Sequence, residues 1–325
     1  MVYVLIALAV LFDFLNGFHD SSNVVATPIS SGAMNPRSAL YTAAVAHFAA
    51  PFIFGVAVAT AIGDGLLDDH AITINVVVAG LLAAVLWNLL TWYLGLPSSS
   101  SHALVGGLLG AAVLAEGVGV VRIDGLTKIM IALLISPVLG LLVGFLTMKF
   151  TMTAARTAPP SVNNWFRRGQ IVTLLGLALG HGTNDAQKTM GVITMGLLAA
   201  GLIPSFHVPL WVIALSAGAI AMGTALGGWR LIRTLGARIY RIRPIHGFAS
   251  QIAGASVIMG AAMLGGPVST TQVMSSAIMG VGAAERLNKV RWLVLRDLAA
   301  AWLLTIPATA AISALALLGL NALGV

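Results

Sequence analysis

Residues 16–23, which read NGFHDSSN, interrupt the apolar run that opens the chain. Gly17 is expected to loosen a helix there, and Asp20 lies among hydroxyl and amide side chains where a lipid-facing segment would carry leucine. A second polar stretch, residues 182–189 (GTNDAQKT), interrupts another apolar run and again places an aspartate, Asp185, three residues after a glycine. We therefore interpret the two stretches as interrupted helices that form the two halves of one binding site.

The composition of the chain indicates a membrane protein. Its 325 residues are 58% hydrophobic and only 8% charged, whereas a soluble protein carries about 25% charged residues. Apolar runs of at least about 18 residues recur along the chain, and such runs indicate membrane-spanning helices. They are too long and continuous for barrel strands, so the sequence predicts an all-α polytopic protein of the cell membrane. The chain has no cysteine, which excludes disulfides and thiolate metal sites.

The distribution of lysine and arginine predicts an orientation. The formal net charge is +7, and in a membrane protein basic loops favour the cytoplasmic side. The loops near Arg37 and at residues 149–168, 230–243 and 286–291 should be cytoplasmic, and the acidic loop at residues 64–70 should be outside. Both termini are then outside, and no nucleic-acid partner is expected. Residues 230–243 are predicted to contact lipid headgroups and are a candidate docking surface for a cytoplasmic regulator.

The two polar stretches belong to an internal repeat. Asp185 follows Asp20 by 165 positions, and Pro267 follows Pro97 by 170. The phrases LGLPSSSSHALVGGLLGA and LGGPVSTTQVMSSAIMG share a proline, hydroxyl residues, a polar residue and then small residues. We predict a first membrane repeat at residues 1–150, a cytoplasmic linker at 151–169 and a second repeat at 170–325.

Five crossings per half would give the two repeats opposite orientations, which is a secondary-transporter architecture with broken helices meeting at the midplane. The predicted number of membrane segments is about ten to twelve, because the segments after Pro97 and Pro267 can be read as re-entrant hairpins or as full crossings.

The acidic and amide residues of the polar stretches predict a cation site. Ionised groups inside a membrane are costly and commonly line a path for substrate or ions. Carboxylate and amide oxygens suit a monovalent cation or a proton, so the coupling-ion candidates are Asp20, Asn23, Asn184 and Asp185. No catalytic residue, metal site or cofactor is predicted. As the alternative, these side chains would be buried structural hydrogen-bonding groups.

The hydroxyl residues after the two prolines predict an anion site. A helix that begins just after a proline has unpaired amides and a positive dipole end, which favours an anion such as phosphate. The phosphate-binding candidates are Ser98, Ser99, Ser100, Ser101, Ser269, Thr270 and Thr271. Their alternative role is to cap helices and to form close helix contacts.

These motifs together resemble the PiT family of inorganic phosphate transporters, in its short bacterial branch, over nearly the whole chain. The resemblance implies symport of inorganic phosphate with sodium or protons, by alternating access, through an inverted-repeat fold. It implies that Asp20, Asn23 and Asp185 are cation-linked and that Ser99, Ser100, Thr270 and Thr271 lie near phosphate. The substrate could also travel as a metal–phosphate complex, and the sequence leaves a homodimer open.

Three positions, His19, Gln251 and Gln272, depart from the family pattern and are among the candidates for proton transfer or gating. The chain reads FHDSSN where members commonly read ANDxAN, and it carries glutamine where many members have histidine or glutamate. The candidates are His19, His47, His102, Lys188, Gln251 and Gln272. For Lys188 we favour an internal ion pair with Asp185 over contact with the anion.

Two other classes of function compete with transport. Two intramembrane aspartates could form an aspartyl-type hydrolase dyad, but the chain lacks GxGD, GxSxG and HExxH motifs. An anion channel would need a continuous polar pore lining, whereas the polar residues concentrate in the repeated motifs. The sequence thus favours a transporter over an enzyme.

Overall fold

Helices form almost all of the structure. A computed structural model describes residues 1–63, 65–233 and 242–324. The first half contains α1 (Val2–Ser30), α2 (Pro36–Phe54), α3 (Ala57–Gly63), α4 (Ile74–Leu94), α5 (Ser100–Glu116) and α6 (Ile123–Ala154). The second half contains α7 (Val162–Ala199), α8 (Leu210–Leu226), α9 (Trp229–Arg233), α10 (Pro244–Met263), α11 (Thr270–Glu285) and α12 (Trp292–Ala322). No strand occurs among the described residues, and the predicted all-α class is confirmed.

Several helices are long and apolar enough to cross a bilayer, which needs about 20 residues. They are α1, α4, α6, α10 and the Leu298–Ala322 part of α12. Helices α2 and α3 meet this criterion together but are bent by 80°. Helix α7 spans 38 residues, and its middle is the polar stretch. Length and hydropathy alone do not fix the number of crossings, so ten to twelve stays a prediction.

The predicted interruption of the helices at the two aspartates is wrong. Helix α1 is continuous through residues 16–23, and α7 is continuous through residues 182–189. The hydroxyls of Ser21 and Ser22 donate to carbonyls three residues earlier, so the polar side chains are accommodated within a helix. Gly17 does not loosen the helix either, because a Cβ atom there would lie 2.2 Å from the Ile220 carbonyl oxygen of α8. Its role is close helix packing.

The chain does break at the two repeated prolines. Gly95 follows α4 and Gly265 follows α10, each with a positive φ that favours glycine. Pro97 and Pro267 come two residues later in both cases. The breaks expected before α5 and α11 are therefore present, and they have the same form in the two halves.

A further break lies between α2 and α3, where the sequence predicted one segment over residues 38–62. Gly55, with φ of +78°, ends α2. Gln187 of α7 holds the bend, because its Oε1 accepts from Val58 N at 2.7 Å and Ala59 N at 3.3 Å while its Nε2 donates to Gly55 O at 2.6 Å. Three hydrogen bonds from a distant helix thus stabilise a turn that has no strong local signal.

The connection between the halves is shorter than the predicted linker at 151–169. Helix α6 continues to Ala154 and α7 begins at Val162, which leaves residues 155–161 as the loop. The first turns of α7 are held by an aromatic cluster, in which the rings of Trp165 and Phe166 lie 5.2 and 5.4 Å from the ring of Phe248 on α10. Asp64 of the acidic loop, and Arg238 and Arg241 of the basic segment, lie outside the described residues.

Packing between helices follows a paired pattern. Helix α6 packs on α11, and the corresponding contact is that of α12 on α5. Helix α7 packs on α10, and the corresponding contact is that of α1 on α4. Helix α1 contacts α8 as α7 contacts α2, while α1 contacts α7 and α2 contacts α8. Matching α1 with α7, α2 with α8, α4 with α10, α5 with α11 and α6 with α12 relates the first three kinds of contact in pairs and leaves the α1–α7 and α2–α8 contacts unchanged. The last helix of each half packs on the other half, α6 on α10 and α11, and α12 on α4 and α5.

Candidate functional site

Asp20 of α1 reaches across to the start of α11. Its carboxylate is buried, and its Oδ1 accepts a hydrogen bond from the Thr271 hydroxyl at 3.0 Å. Thr270 Oγ1 lies 3.4 Å from the other oxygen, Oδ2. The Nδ1 atom of His19 lies 2.9 Å from Oδ1. An acidic residue of the first half is therefore coordinated mainly by hydroxyls of the second half.

Asp185 of α7 lies on the other side of the same threonine. Thr270 Oγ1 is 3.1 Å from Asp185 Oδ2, and His181 Nε2 is 3.2 Å from that oxygen. Lys188, one helical turn along α7, forms an ion pair with Asp185 Oδ1. The side chains of Asp185, His181 and Lys188 are fully buried, and the predicted Lys188–Asp185 pair is confirmed.

Thr270 joins the two carboxylates. A threonine hydroxyl has one proton, so it can donate to Asp20 or to Asp185 but not to both at once. Whichever carboxylate is left faces an oxygen atom rather than a proton. A proton or a metal cation between these oxygens would satisfy both carboxylates, and the geometry is therefore suited to binding one.

The two asparagines supply unpaired acceptors beside this group. Asn23 Nδ2 donates to Thr271 Oγ1 at 3.0 Å, and Asn184 Nδ2 donates to the Gly266 carbonyl at 3.2 Å. The carbonyl oxygens of both side chains are buried and have no hydrogen-bond partner among the described residues. An unpaired buried acceptor costs free energy, and a bound cation would remove that cost.

The starts of α5 and α11 meet through the carbonyl of Val268. That oxygen accepts from Ser101 Oγ at 3.1 Å and from Lys188 Nζ at 3.1 Å. Since Ser101 belongs to α5 and Val268 precedes α11, the two helix starts are adjacent.

The remaining hydroxyls of the predicted anion site have local partners. Ser99 and Ser269 are N-caps whose side chains accept from the amides of His102 and Gln272, at 3.2 and 3.3 Å. Ser98 donates to Thr91 Oγ1 of α4 at 2.8 Å. Ser100 is buried without a hydrogen bond that ties it to either carboxylate. Capping, the alternative role considered for these residues, therefore accounts for Ser99 and Ser269.

Histidines surround the carboxylates on one side. The His47 ring stacks on the His181 ring at 4.9 Å with 14° between the planes, and His47 Nδ1 lies 2.8 Å from Thr224 Oγ1. The sequence analysis missed His181. Its signal was present, because a histidine four residues before Asp185 lies on the same face of a helix.

The other gating candidates make no hydrogen bond to either carboxylate among the described residues. Gln251 Oε1 accepts from Thr173 Oγ1 of α7 at 2.5 Å, so the structure gives it a helix-pairing contact. His102 and Gln272 lie in the first turns of α5 and α11. Nδ1 of His102 and Oε1 of Gln272 are buried and have no hydrogen-bond partner in the described part of the chain.

One ligand atom each from Asp20, His181 and Asp185 lies within 4.8 Å of the others. The sequence analysis assigned no metal site. Three atoms at this separation could approach a single ion, but Lys188 already neutralises one of the carboxylates. The set therefore suits a singly charged cation or a proton better than a divalent metal ion.

Comparisons with known proteins match phosphate transporters over most of the chain. A family model described as the phosphate transporter family matches residues 16–159 and 149–313. A probable low-affinity inorganic phosphate transporter of Rhizobium meliloti (strain 1021) is 43% identical over 313 residues, which are 96% of this chain and 94% of that one. A protein of the same description from Bacillus subtilis (strain 168) is 41% identical over 325 residues, covering 99% and 97%. A solved structure titled "The sodium-dependent phosphate transporter" has the same fold, with a TM-score of 0.89 and 24% identity over 98% of each chain.

Proposed function

Because the chain belongs to the phosphate transporter family, we propose that it imports inorganic phosphate together with a monovalent cation bound at Asp20, beside the Lys188–Asp185 pair. The chain is a multi-pass phosphate transporter of the cell membrane and not an enzyme. The identity of the coupling ion, the residues that bind it and phosphate, and the alternating-access mechanism are what we propose. The solved structure of the same fold is titled sodium-dependent, so sodium is the first cation to test and the proton is the second.

The observation that carries this proposal is the single Thr270 hydroxyl shared by two buried carboxylates. The single proton of the Thr270 hydroxyl cannot bond to both carboxylates at once. The side-chain oxygens of Asn23 and Asn184 are also unpaired within the described structure. A cation at this position gains carboxylate, hydroxyl and amide oxygens. The two carboxylates and the one lysine leave net negative charge in a place that lipid and helices shield from water, and a cation would balance it.

Phosphate would bind between the adjacent starts of α5 and α11. The first amides of a helix have no partner within the helix, and the dipole adds positive potential there. Caps Ser99 and Ser269 use the amides of His102 and Gln272, which leaves the earlier amides of each helix for the anion. Thr270 and Thr271 could add hydroxyl donors when they release the carboxylates.

Coupling follows from the competition between carboxylates and phosphate for the same hydroxyls. Thr270 and Thr271 contact the carboxylates, and a phosphate near them would also be repelled by Asp20. Two unit charges at 4 Å repel by about 4 kcal/mol at an effective dielectric constant near 20. A cation at Asp20 removes this repulsion and frees a hydroxyl, so cation binding should precede phosphate binding.

Alternating access would use the relation between the two halves. The site lies where α1 and α7 contact each other and the start of α11. The paired packing pattern supports a chain built of two repeats, at about residues 1–154 and 162–325, in inverted orientation. Rocking of one repeat relative to the other about a fixed midplane site is the motion such architectures use.

Uptake into proteoliposomes tests the function directly. The sodium gradient and the proton gradient are imposed separately. Labelled phosphate should accumulate under one of them, and that gradient identifies the cation. A channel would only equilibrate phosphate, and a hydrolase would not transport it. Repeating the assay with and without magnesium separates free phosphate from a metal–phosphate complex. Absence of accumulation under both gradients would refute the proposal.

A further inference from the structure

The two aspartate motifs are not identical in the residue that follows each aspartate by one helical turn. Asn23 occupies that position after Asp20, and Lys188 occupies it after Asp185. The separation of Asn23 and Lys188 is 165 positions, as for the aspartates. The repeat therefore places a neutral amide in one half and a fixed ammonium in the other.

Both side chains reach the start of α11. Asn23 Nδ2 donates to Thr271 Oγ1 at 3.0 Å, and Lys188 Nζ donates to Val268 O at 3.1 Å. Lys188 Nζ also pairs with Asp185 Oδ1. Backbone carbonyls at helix breaks coordinate sodium or a proton in broken-helix transporters, and carboxylates inside a membrane commonly line the path of ions or protons. The ammonium of Lys188 thus has the neighbours of a bound cation.

Asp20 has no equivalent partner. Its oxygens contact the hydroxyls of Thr270 and Thr271 and the ring of His19, and no lysine or arginine pairs with it in the part of the chain that the structure describes. His19 is charged only when protonated, and a proton held there would itself be a mobile cation. Asp13, the other buried carboxylate of α1, has no position-matched acidic residue in α7, where Ala178 stands.

We infer that Lys188 is a built-in cation that permanently occupies at Asp185 the place that a transported cation takes at Asp20. This inference rests on the proposed function. Of two equivalent acidic sites, only the Asp20 site exchanges its cation with solution. The carrier therefore moves one cation fewer per phosphate than it would with an amide in both repeats, and Lys188 sets the stoichiometry.

The test restores the symmetry of the repeat with Lys188→Asn, which gives Asp185 the neighbour that Asp20 has. The number of cations moved per phosphate is measured in proteoliposomes from the membrane potential at which net flux reverses. We expect this number to rise by one in Lys188→Asn. Lys188→Arg keeps the charge and should keep the wild-type number. Lys149→Asn, which removes an exposed lysine of α6, is the matched control and should also keep it.

If Lys188→Asn no longer transports phosphate, cation binding can still be measured. Thermal unfolding of purified protein is compared in sodium and choline chloride and at two pH values. Lys188→Asn should gain a second saturable stabilisation by sodium or by protons, in addition to the one that wild type and Lys188→Arg show from the Asp20 site. An unchanged stoichiometry in an active variant, or an inactive variant without new cation stabilisation, would overturn the inference. So would a variant that cannot be purified under any of these conditions.

The two proposals fail differently. If the wild type does not accumulate phosphate under either gradient, the proposed function is wrong, whereas the cation-dependent unfolding of Lys188→Asn still reports on the role of Lys188. If the wild type accumulates phosphate and Lys188→Asn shows neither change, only the role of Lys188 is wrong.

Discussion

Individual side chains determine the electrostatics of the site. Asp20 and Asp185 are buried at equivalent places in the repeat, yet their partners differ: hydroxyls and a histidine for Asp20, an ammonium for Asp185. Buried charges are costly unless paired and hydrogen-bonded. The residue that lacks a fixed counter-charge is therefore the one whose substitution should most affect coupling.

Replacing Asp20 by asparagine should reduce gradient-driven phosphate uptake by at least about tenfold, because hydrogen bonds that involve a charged group contribute roughly 1.5–3 kcal/mol. The volume is kept, so the protein should still insert and unfold normally. Labelled uptake and the amount of protein in the membrane are measured together. Asp68→Asn, which removes a partly exposed pair with Arg122, is the control and should transport as wild type. Normal uptake by Asp20→Asn would remove Asp20 from the mechanism.

Replacing Thr270 by valine removes the hydroxyl shared by both carboxylates while nearly keeping the shape. We expect the apparent constant for phosphate to rise about tenfold, since the carboxylates lose a donor and phosphate loses a hydroxyl. Saturation curves for uptake provide the measurement. Thr194→Val is the matched control, because Thr194 is equally buried and its hydroxyl donates only within α7, to Met190 O. Equal constants for the two variants would contradict the anion site.

Close packing between helices explains why Gly17 does not loosen α1, although the sequence had predicted that it would. Glycine was read as a weak point in α1, but Gly17 instead allows α1 to approach α8. The approach is mutual, because a Cβ atom at Gly223 of α8 would lie 2.0 Å from the Phe14 carbonyl oxygen. Small residues at membrane helix contacts let backbones come close. Glycine here stabilises the helix pair that carries Asp20.

Gly17→Ala should destabilise the protein by about 1–3 kcal/mol, because the added methyl group collides with backbone that cannot move aside without separating the helices. Gly218→Ala on α8 is the control: a Cβ atom there has nothing within 4 Å, and alanine favours a helix by up to about 1 kcal/mol. Thermal unfolding in detergent compares the two. A Gly17 variant as stable as the Gly218 variant would show that the α1–α8 contact is not tight.

At the scale of the whole molecule, the two halves are interlocked. Helix α6 of the first half packs on α11 of the second, and α12 packs on α5. The acidic site has the same character, because Asp20 obtains both its hydroxyl partners from α11. Each half therefore lacks part of its core and part of its site when separated from the other.

This interlocking predicts that residues 1–157 and 158–325, expressed as two chains, will copurify and transport phosphate, while each alone will not accumulate in the membrane. The cut falls in the loop between α6 and α7, so it breaks no helix. A cut at residues 276–277, inside α11, is the control and should abolish assembly. Stable accumulation of one half by itself would mean that its helices do not need the exchanged partner.

The amino-acid sequence alone determined the fold class, the pairing of the two aspartate motifs and the helix starts after Pro97 and Pro267. Apolar runs and the scarcity of charge specified a helical membrane protein, since backbone groups in lipid must pair within a helix. The spacing of Asp20 to Asp185 paired the acidic residues, and Ser99 and Ser269 were recognisable as residues that cap a helix after a proline. The apolar runs and the caps are local signals, because backbone pairing and capping involve residues only a few positions apart.

Tertiary structure alone decided which side chains meet. The close approach of α1 to α8 depends on Ile220 lying against Gly17, the bend after α2 depends on Gln187, and the hydroxyl partners of the two aspartates depend on the start of α11 lying beside α1 and α7. These contacts join residues that are at least 85 positions apart in the chain. Their energy comes from close packing and from pairing of buried polar groups, which leaves no periodic pattern in the sequence.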